Sequence, residues 1–186
     1  MYRIGVDLGG TNIAVGLVNE EFQIIQKKSL PTGAEREAAA IVGDIATLCR
    51  EVCAAQNISL SDVDGIGIAT PGIANHDTGE LVYSCNLPSF LHYPLAETLK
   101  KMLGEPCDVH IENDANAAAW GEAVAGAAKG TSNSIMITLG TGVGGGIISD
   151  NKVYSGFNYA GAELGHIVIE IDGAQCGCGR RGCWEA

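Results

Sequence analysis

Basic residues are scarce in this 186-residue chain: Lys and Arg number 11 against 22 Asp and Glu, for a net charge of −11. Nucleic-acid binders need a basic face, and proteins held on anionic membranes need basic clusters, so the charge argues against both partners. Aromatic residues are also few, at 5%. The N-terminus has no apolar run of the secretory kind, because Arg3 and Asp7 interrupt it. The longest uncharged stretch, residues 130–149, could span a bilayer by length, but its six glycines and several Thr and Ser exclude a membrane helix. No G-x-x-x-x-G-K-[ST] is present, which excludes a P-loop, and no low-complexity linker interrupts the chain.

Glycine is plentiful: 26 of 186 residues, about 14% where ~7% is usual. With 46% hydrophobic residues and no repeat, the chain is globular rather than disordered. The glycines imply tight turns and backbone that approaches something closely. The length fits one domain or two small ones, with a core able to bury roughly 70% of the unfolded surface. Seven cysteines without a signal segment point to a reducing, cytoplasmic setting rather than disulfides. Cys49, Cys53, Cys85 and Cys107 are scattered and read as small buried hydrophobes.

Residues 2–8, 13–18 and a segment beginning at Phe22 read as three strands joined by short turns, an antiparallel meander. Residues 35–56 carry Ala38, Ile41, Val42, Ile45, Leu48, Cys49 and Val52 at helical spacing. Residues 64–69 form an apolar strand ending at Pro71-Gly72. A short helix is expected over 95–103 and a strand over 109–111, ending at Glu112-Asn113-Asp114. An Ala-rich helix from 114 to about 125 follows, capped by Asn113 or Asp114. Residues 134–139 and 146–149 read as strands flanking a glycine turn. This echoes the opening, Asp7-Leu-Gly-Gly-Thr11 against Thr138-Leu-Gly-Thr-Gly142, as a duplicated half-domain would. The division expected is 1–112 and 113–186.

A strand that ends in Gly-Gly-Thr bares backbone N–H groups able to cradle phosphate oxygens, and Asp7 just before it can hold Mg²⁺. A plain hairpin turn is the competing reading. Residues 140–145 also satisfy G-x-G-x-x-G, but strand and turn residues follow where a dinucleotide site needs a helix, so the NAD reading is rejected. His166-x9-Cys176-x-Cys178-x4-Cys183 places four N/S donors within 18 residues, with glycines at 177, 179 and 182, and matches a closed tetrahedral zinc site. All four positions are filled by protein, so this zinc is expected to be structural. Asp114 at a helix start is favoured by the helix dipole and can serve as a simple cap or as a base on a hydroxyl. Glu163 and Glu185 bracket the zinc segment, which could fix both against one cavity as acceptors for a polyol; alone, each reads as a solvated acid.

These residues together resemble the ROK sugar kinases of the actin/hexokinase ATPase superfamily. The matching segments are Asp7-x-Gly9-Gly10-Thr11, Thr70-Pro71-Gly72, Glu112-Asn113-Asp114-Ala115-Asn116, residues 139–146, Glu163-x-x-His166 and Cys176-x-Cys178-Gly-x-x-Gly-Cys183-x-Glu185. The resemblance implies an α/β, actin-like/ribonuclease-H-like ATPase fold, a mixed sheet with flanking helices and an incomplete second lobe. It implies phosphorylation of a hexose hydroxyl, commonly O6 of glucose, by Mg-ATP, with Asp114 as general base. Gly72, Asn113, Glu163, His166 and Glu185 would bind sugar. Gly9, Gly10, Thr11, Asn12, Gly140, Thr141 and Gly142 would hold phosphates, with Asp7 near Mg²⁺. His166 would touch both sugar and zinc, with Cys176, Cys178 and Cys183 completing the metal site.

Similar proteins continue well past residue 186 and form homodimers, so this chain is expected to keep its sugar and zinc residues but hold nucleotide weakly. N-acetylmannosamine, N-acetylglucosamine and fructose kinases share these motifs. A sugar-sensing repressor of the same family would need a basic DNA-binding segment ahead of Asp7, where there is no room. A non-catalytic, zinc-stabilised sugar-binding module is the remaining alternative.

Overall fold

The computed structural model describes residues 1–104, 107–140 and 142–186. The chain divides into two compact units, Met1–Asp114 and Ala115–Ala186.

Unit 1 is built on a five-stranded mixed sheet. Strands β1 (Tyr2–Leu8), β2 (Asn12–Val18) and β3 (Ile24–Pro31) form the expected antiparallel meander. The third strand starts at Ile24 rather than Phe22, because Phe22 takes a left-handed conformation (φ 61°) inside the turn. After helix α1 (Ala38–Ala54), strand β4 (Val63–Thr70) pairs parallel with β1. A two-stranded hairpin, β5 (Ile73–Asn75) and β6 (Glu80–Tyr83), and helix α2 (Leu95–Leu103) then lead to β7 (Asp108–Asn113), parallel to β4. The sheet order is β3-β2-β1-β4-β7.

Alternation decides which face is buried. Ile4, Val6 and Leu8 of β1, with Ile13, Val15 and Leu17 of β2, are buried, while their neighbours face outward or sit at the margin. The buried stripe of α1, Ile41, Val42, Ile45, Leu48, Cys49 and Val52, belongs to the same core. Cys49, Cys53 and Cys107 are buried there as expected. Burial, then the neighbouring Cys53 and Cys107 thiols, push Cys49 up to about 12. Cys85 departs from expectation: it is exposed, on the irregular segment after β6.

Strands β1, β4 and β7 are parallel, so their carboxyl ends share one edge of the sheet. Asp7 stands opposite Ala69, and Ala69 opposite Glu112; the next row pairs Thr70 with Asn113. That register places Gly9-Gly10, Pro71-Gly72 and Asn113-Asp114 along one edge, where ligands bind in open α/β sheets.

Unit 2 begins with helix α3, which runs Asp114–Ala125 and so takes its first residue from unit 1. A three-stranded antiparallel sheet follows, in the order β10 (Lys152–Val153), β9 (Val143–Ser149), β8 (Ser134–Leu139). The expected strand at 146–149 starts three residues earlier, and the glycines at 144–146 lie within it. Their smallness serves packing. A Cβ on Gly144 would press on Ala115, and one on Gly146 would crowd Ala119 and the Ala115 carbonyl. On the opposite face, a Cβ on Gly145 would run into Leu164. The remaining chain is mostly loop, with a single 3-10 turn at Leu164–His166. Buried apolar side chains concentrate in unit 1; among the described residues unit 2 contributes only Ala119, Ile148, Cys176 and Cys183. Among the described residues no helix is long and apolar enough to cross a membrane.

Candidate functional site

In unit 1 the predicted residues lie on the shared strand edge. After β1 the chain turns at once, and Gly9 N–H donates to the Asn12 carbonyl at 3.0 Å. Fully buried Thr32 holds this turn from behind. Its hydroxyl donates to the Gly9 carbonyl (2.6 Å) and its N–H to the Thr11 carbonyl (2.8 Å). Arg36 in turn donates to the Thr32 carbonyl and to Asp44 of α1, at 2.6 Å each. The second glycine packs closely: a Cβ on Gly10 would sit 3.1 Å from that of Asn86. Asp7, just ahead, has its carboxyl held above the ordinary range by partial burial and then by the Asp114 carboxylate, with Lys27 pulling the other way. A carboxylate at a glycine turn, close enough to a second one to be raised by it, could hold a divalent cation or its phosphate complex.

Gly72 follows β4 with φ 97°, and a Cβ there would overlap the Tyr83 carbonyl oxygen, so glycine is required twice over. Asn113 is fixed from both ends. Its side-chain amide donates to the Gly72 carbonyl (3.1 Å), and its N–H donates to Glu112 Oε1 (2.9 Å). The other Glu112 oxygen lies 3.3 Å from His76 Nδ1. Asp114 opens α3, its side chain exposed at the positive end of the helix.

Sequence reasoning passed over Thr32, Glu112 with His76, and Ser84. Glu112 opens the segment Glu112-Asn113-Asp114-Ala115-Asn116, but its residue type alone points to no role. Thr32 and Ser84 carry no signal in sequence, because their importance comes from being buried beside a turn. Ser84 Oγ has no hydrogen-bond partner among the described residues, and the Ser84 backbone borders Gly72.

In unit 2 the four metal-type donors do come together. His166, Cys176, Cys178 and Cys183 offer atoms all within 4.8 Å of one another. Cys178 Sγ lies 3.6 Å from Cys183 Sγ, and Cys176 Sγ 3.7 Å from His166 Nδ1. Zinc–sulfur and zinc–nitrogen bonds of about 2.3 and 2.0–2.1 Å give a tetrahedron with edges of roughly 3.6–3.8 Å, so the donor set fits. The loop folds tightly: Cys176 N–H donates to the Arg180 carbonyl (2.8 Å) and Gly179 N–H to the Cys176 carbonyl (3.1 Å). Hydrogen bonds from the Arg180 backbone, then its side chain, hold the Cys178 thiol down at about 6, while burial pushes Cys183 up to about 11.

The acids that bracket this loop differ. Glu163 is exposed, just ahead of the 3-10 turn. Glu185 is partly buried and accepts a hydrogen bond from Val143 N–H through Oε2 (2.9 Å), while its Oε1 lies 3.9 Å from Cys176 Sγ. In the glycine turn ahead of β9, Gly140 N–H donates to the Gly142 carbonyl (3.0 Å); Thr141 lies outside the described residues.

The sequence matches the ROK family over residues 3–186. The chain belongs to the ROK family. Among curated ROK-like relatives it is 43% identical over 182 residues to a glucokinase of Streptomyces coelicolor, covering 98% of this chain and 54% of that protein. It is 35% identical over 186 residues to an N-acetylmannosamine kinase of Citrobacter koseri, covering 100% of this chain and 61% of that protein. The crystal structure of a ROK family glucokinase from Streptomyces griseus with glucose and AMPPNP superposes with a TM-score of 0.83 at 39% identity, over 100% of this chain and 56% of that one. The chain thus spans about half the length of the relatives it matches, and its ROK membership carries the actin-like ATPase fold with the second lobe represented in part.

Proposed function

We propose that this ROK protein transfers the γ-phosphoryl group of ATP to a hexose hydroxyl in the cytoplasm, O6 of glucose foremost. The observation that carries the reading is the strand edge of unit 1: Asp114 at a helix start, its carboxylate felt by Asp7, beside a two-glycine turn and a doubly anchored Asn113.

Phosphoryl transfer asks a protein mainly for positioning and charge stabilisation. Asp114 accepts the proton of the attacking hydroxyl. Asn113, Glu163, His166, Glu185 and the backbone at Gly72 bind the remaining hydroxyls. Gly9, Gly10, Thr11 and Asn12, with Gly140, Thr141 and Gly142, present N–H groups and hydroxyls to the phosphates. Asp7 would hold the magnesium that accompanies the nucleotide, which would supply charge neutralisation. His166, Cys176, Cys178 and Cys183 would hold zinc; with four protein donors it would supply structure rather than chemistry.

The experiment is ADP release from Mg-ATP by this chain with glucose, fructose, N-acetylglucosamine and N-acetylmannosamine, paired with calorimetric sugar binding. Sugar-dependent release that Asp114→Asn abolishes while binding survives supports the reading. Turnover untouched by Asp114→Asn overturns Asp114 as base. Sugar binding without turnover favours a non-catalytic module for this chain. The 35% identity to an N-acetylmannosamine kinase favours an amino sugar as the second reading, and the sugar panel decides between them.

A further inference from the structure

Two residues that flank metal-type ligands close on the same backbone position. Gly165 precedes His166, and it lies so near Val143 that a Cβ would overlap the Val143 carbonyl. Glu185 comes two residues after Cys183; its N–H donates to the Gly165 carbonyl (2.9 Å), and its Oε2 accepts from Val143 N–H (2.9 Å). The segment between is tied down by Trp184 N–H to the Ile167 carbonyl (2.9 Å) and by Arg180 to the His166 carbonyl (2.9 Å). The carboxylate fills the space beside Gly142 that any side chain there would need. Val143 is the first residue of β9 and directly follows the glycine turn.

We propose that Glu185 is a positioning residue that transmits metal occupancy of the Cys/His loop to the backbone following the glycine turn. The proposal rests on reading the four donors as a metal site. A metal bound to His166 and Cys183 cross-links the chain one residue from Gly165 and two from Glu185. The carboxylate is then presented to Val143 N–H already ordered, so the charge-assisted bond forms without paying for loop closure. Without the metal, the same bond must order the loop by itself. Glu185 therefore does more than offer an acceptor to a ligand: it sets the turn beside it.

The test uses the ¹⁵N-labelled 186-residue chain, stripped of metal and then loaded with cobalt or zinc, with amide exchange followed residue by residue. Loading should slow exchange at Val143 by at least about tenfold in the native sequence. Glu185→Ala should abolish that slowing while Ile148, farther along β9, still responds and the thiolate-to-cobalt absorption bands remain. Glu185→Gln keeps an acceptor oxygen and should restore part of the protection. Equal Val143 exchange with and without metal overturns the proposal, as does slowing that survives Glu185→Ala. If Glu185→Ala loses cobalt binding, Glu185→Gln carries the test, and metal-bound Glu185→Gln without Val143 protection overturns it. Absent cobalt bands in the native chain overturn the metal reading and the coupling together; cobalt bands with an unresponsive Val143 overturn the coupling alone.

Discussion

Asn113 reaches from the end of β7 to the turn after β4 and donates its side-chain amide to the Gly72 carbonyl at 3.1 Å. The bond ties together two neighbouring strand ends just where Asp114 begins its helix. Replacing Gly72 would break the arrangement from the other side, since φ is 97° and the Tyr83 carbonyl occupies the place of a Cβ. Gly72→Ala is expected to destabilise unit 1 by about 2–4 kcal/mol, read as a lower urea midpoint at unchanged slope.

Asp114 and Asn113 should separate in kinetics. Asp114→Asn is expected to cut sugar-dependent turnover by about 10²–10⁴-fold with little change in sugar affinity, because a base acts in the transition state. Asn113→Ala should instead weaken sugar binding and lower turnover together. Calorimetry with a non-hydrolysable nucleotide and sugar, alongside ADP release, distinguishes the two.

Asp7 gives a pH dependence with a definite sign. Its carboxyl is raised in the folded protein, first by burial and then by Asp114. The native state therefore holds a proton that the unfolded chain has already released, and stability falls as pH rises from the ordinary carboxyl value through the raised one. Above that window the penalty is complete. Asp7→Asn is expected to raise the thermal midpoint at neutral pH, with the gain shrinking as the pH drops below the ordinary carboxyl range. The same variant should weaken Mg-ATP binding. A neutral-pH midpoint unchanged or lowered by Asp7→Asn would contradict this account.

Much of this was legible in sequence. Alternation in β1 and β2, helical spacing in α1 and the boundaries of α2 follow from side-chain periodicity alone. The convergence of the Cys/His donors was legible because all four lie within 18 residues of one another. The glycines at 144–146 were not: composition marks them as turn residues, yet they belong to a strand, because their smallness answers Ala115, Ala119 and Leu164. Thr32 was invisible for a related reason. Its hydroxyl is used by a turn 23 residues earlier, and nothing in its own neighbourhood announces that. The position of Glu185 in sequence suggests an acceptor for a ligand, while its bond to Val143 N–H depends on tertiary placement that no spacing reveals.

The β9 glycines yield a further prediction. Gly146→Ala would set a methyl against Ala119 and the Ala115 carbonyl, in space the helix already fills. It is expected to cost about 1–3 kcal/mol, as overpacking does, and to lower the melting midpoint without altering metal stoichiometry. A Gly146→Ala protein as stable as the native chain would show that α3 can shift to accommodate it.

The apolar interior of unit 2 is small: among the described residues four apolar positions are deeply buried, and two of them are Cys176 and Cys183. Two of the four residues that would coordinate an ion thus also belong to the small apolar interior. Unit 1 has a broad hydrocarbon core, whereas unit 2 would lean on an inorganic cross-link if the four donors hold a metal. In a zinc-starved cell the two halves should age differently, with proteases trimming the chain back toward Asp114 while the five-stranded sheet persists.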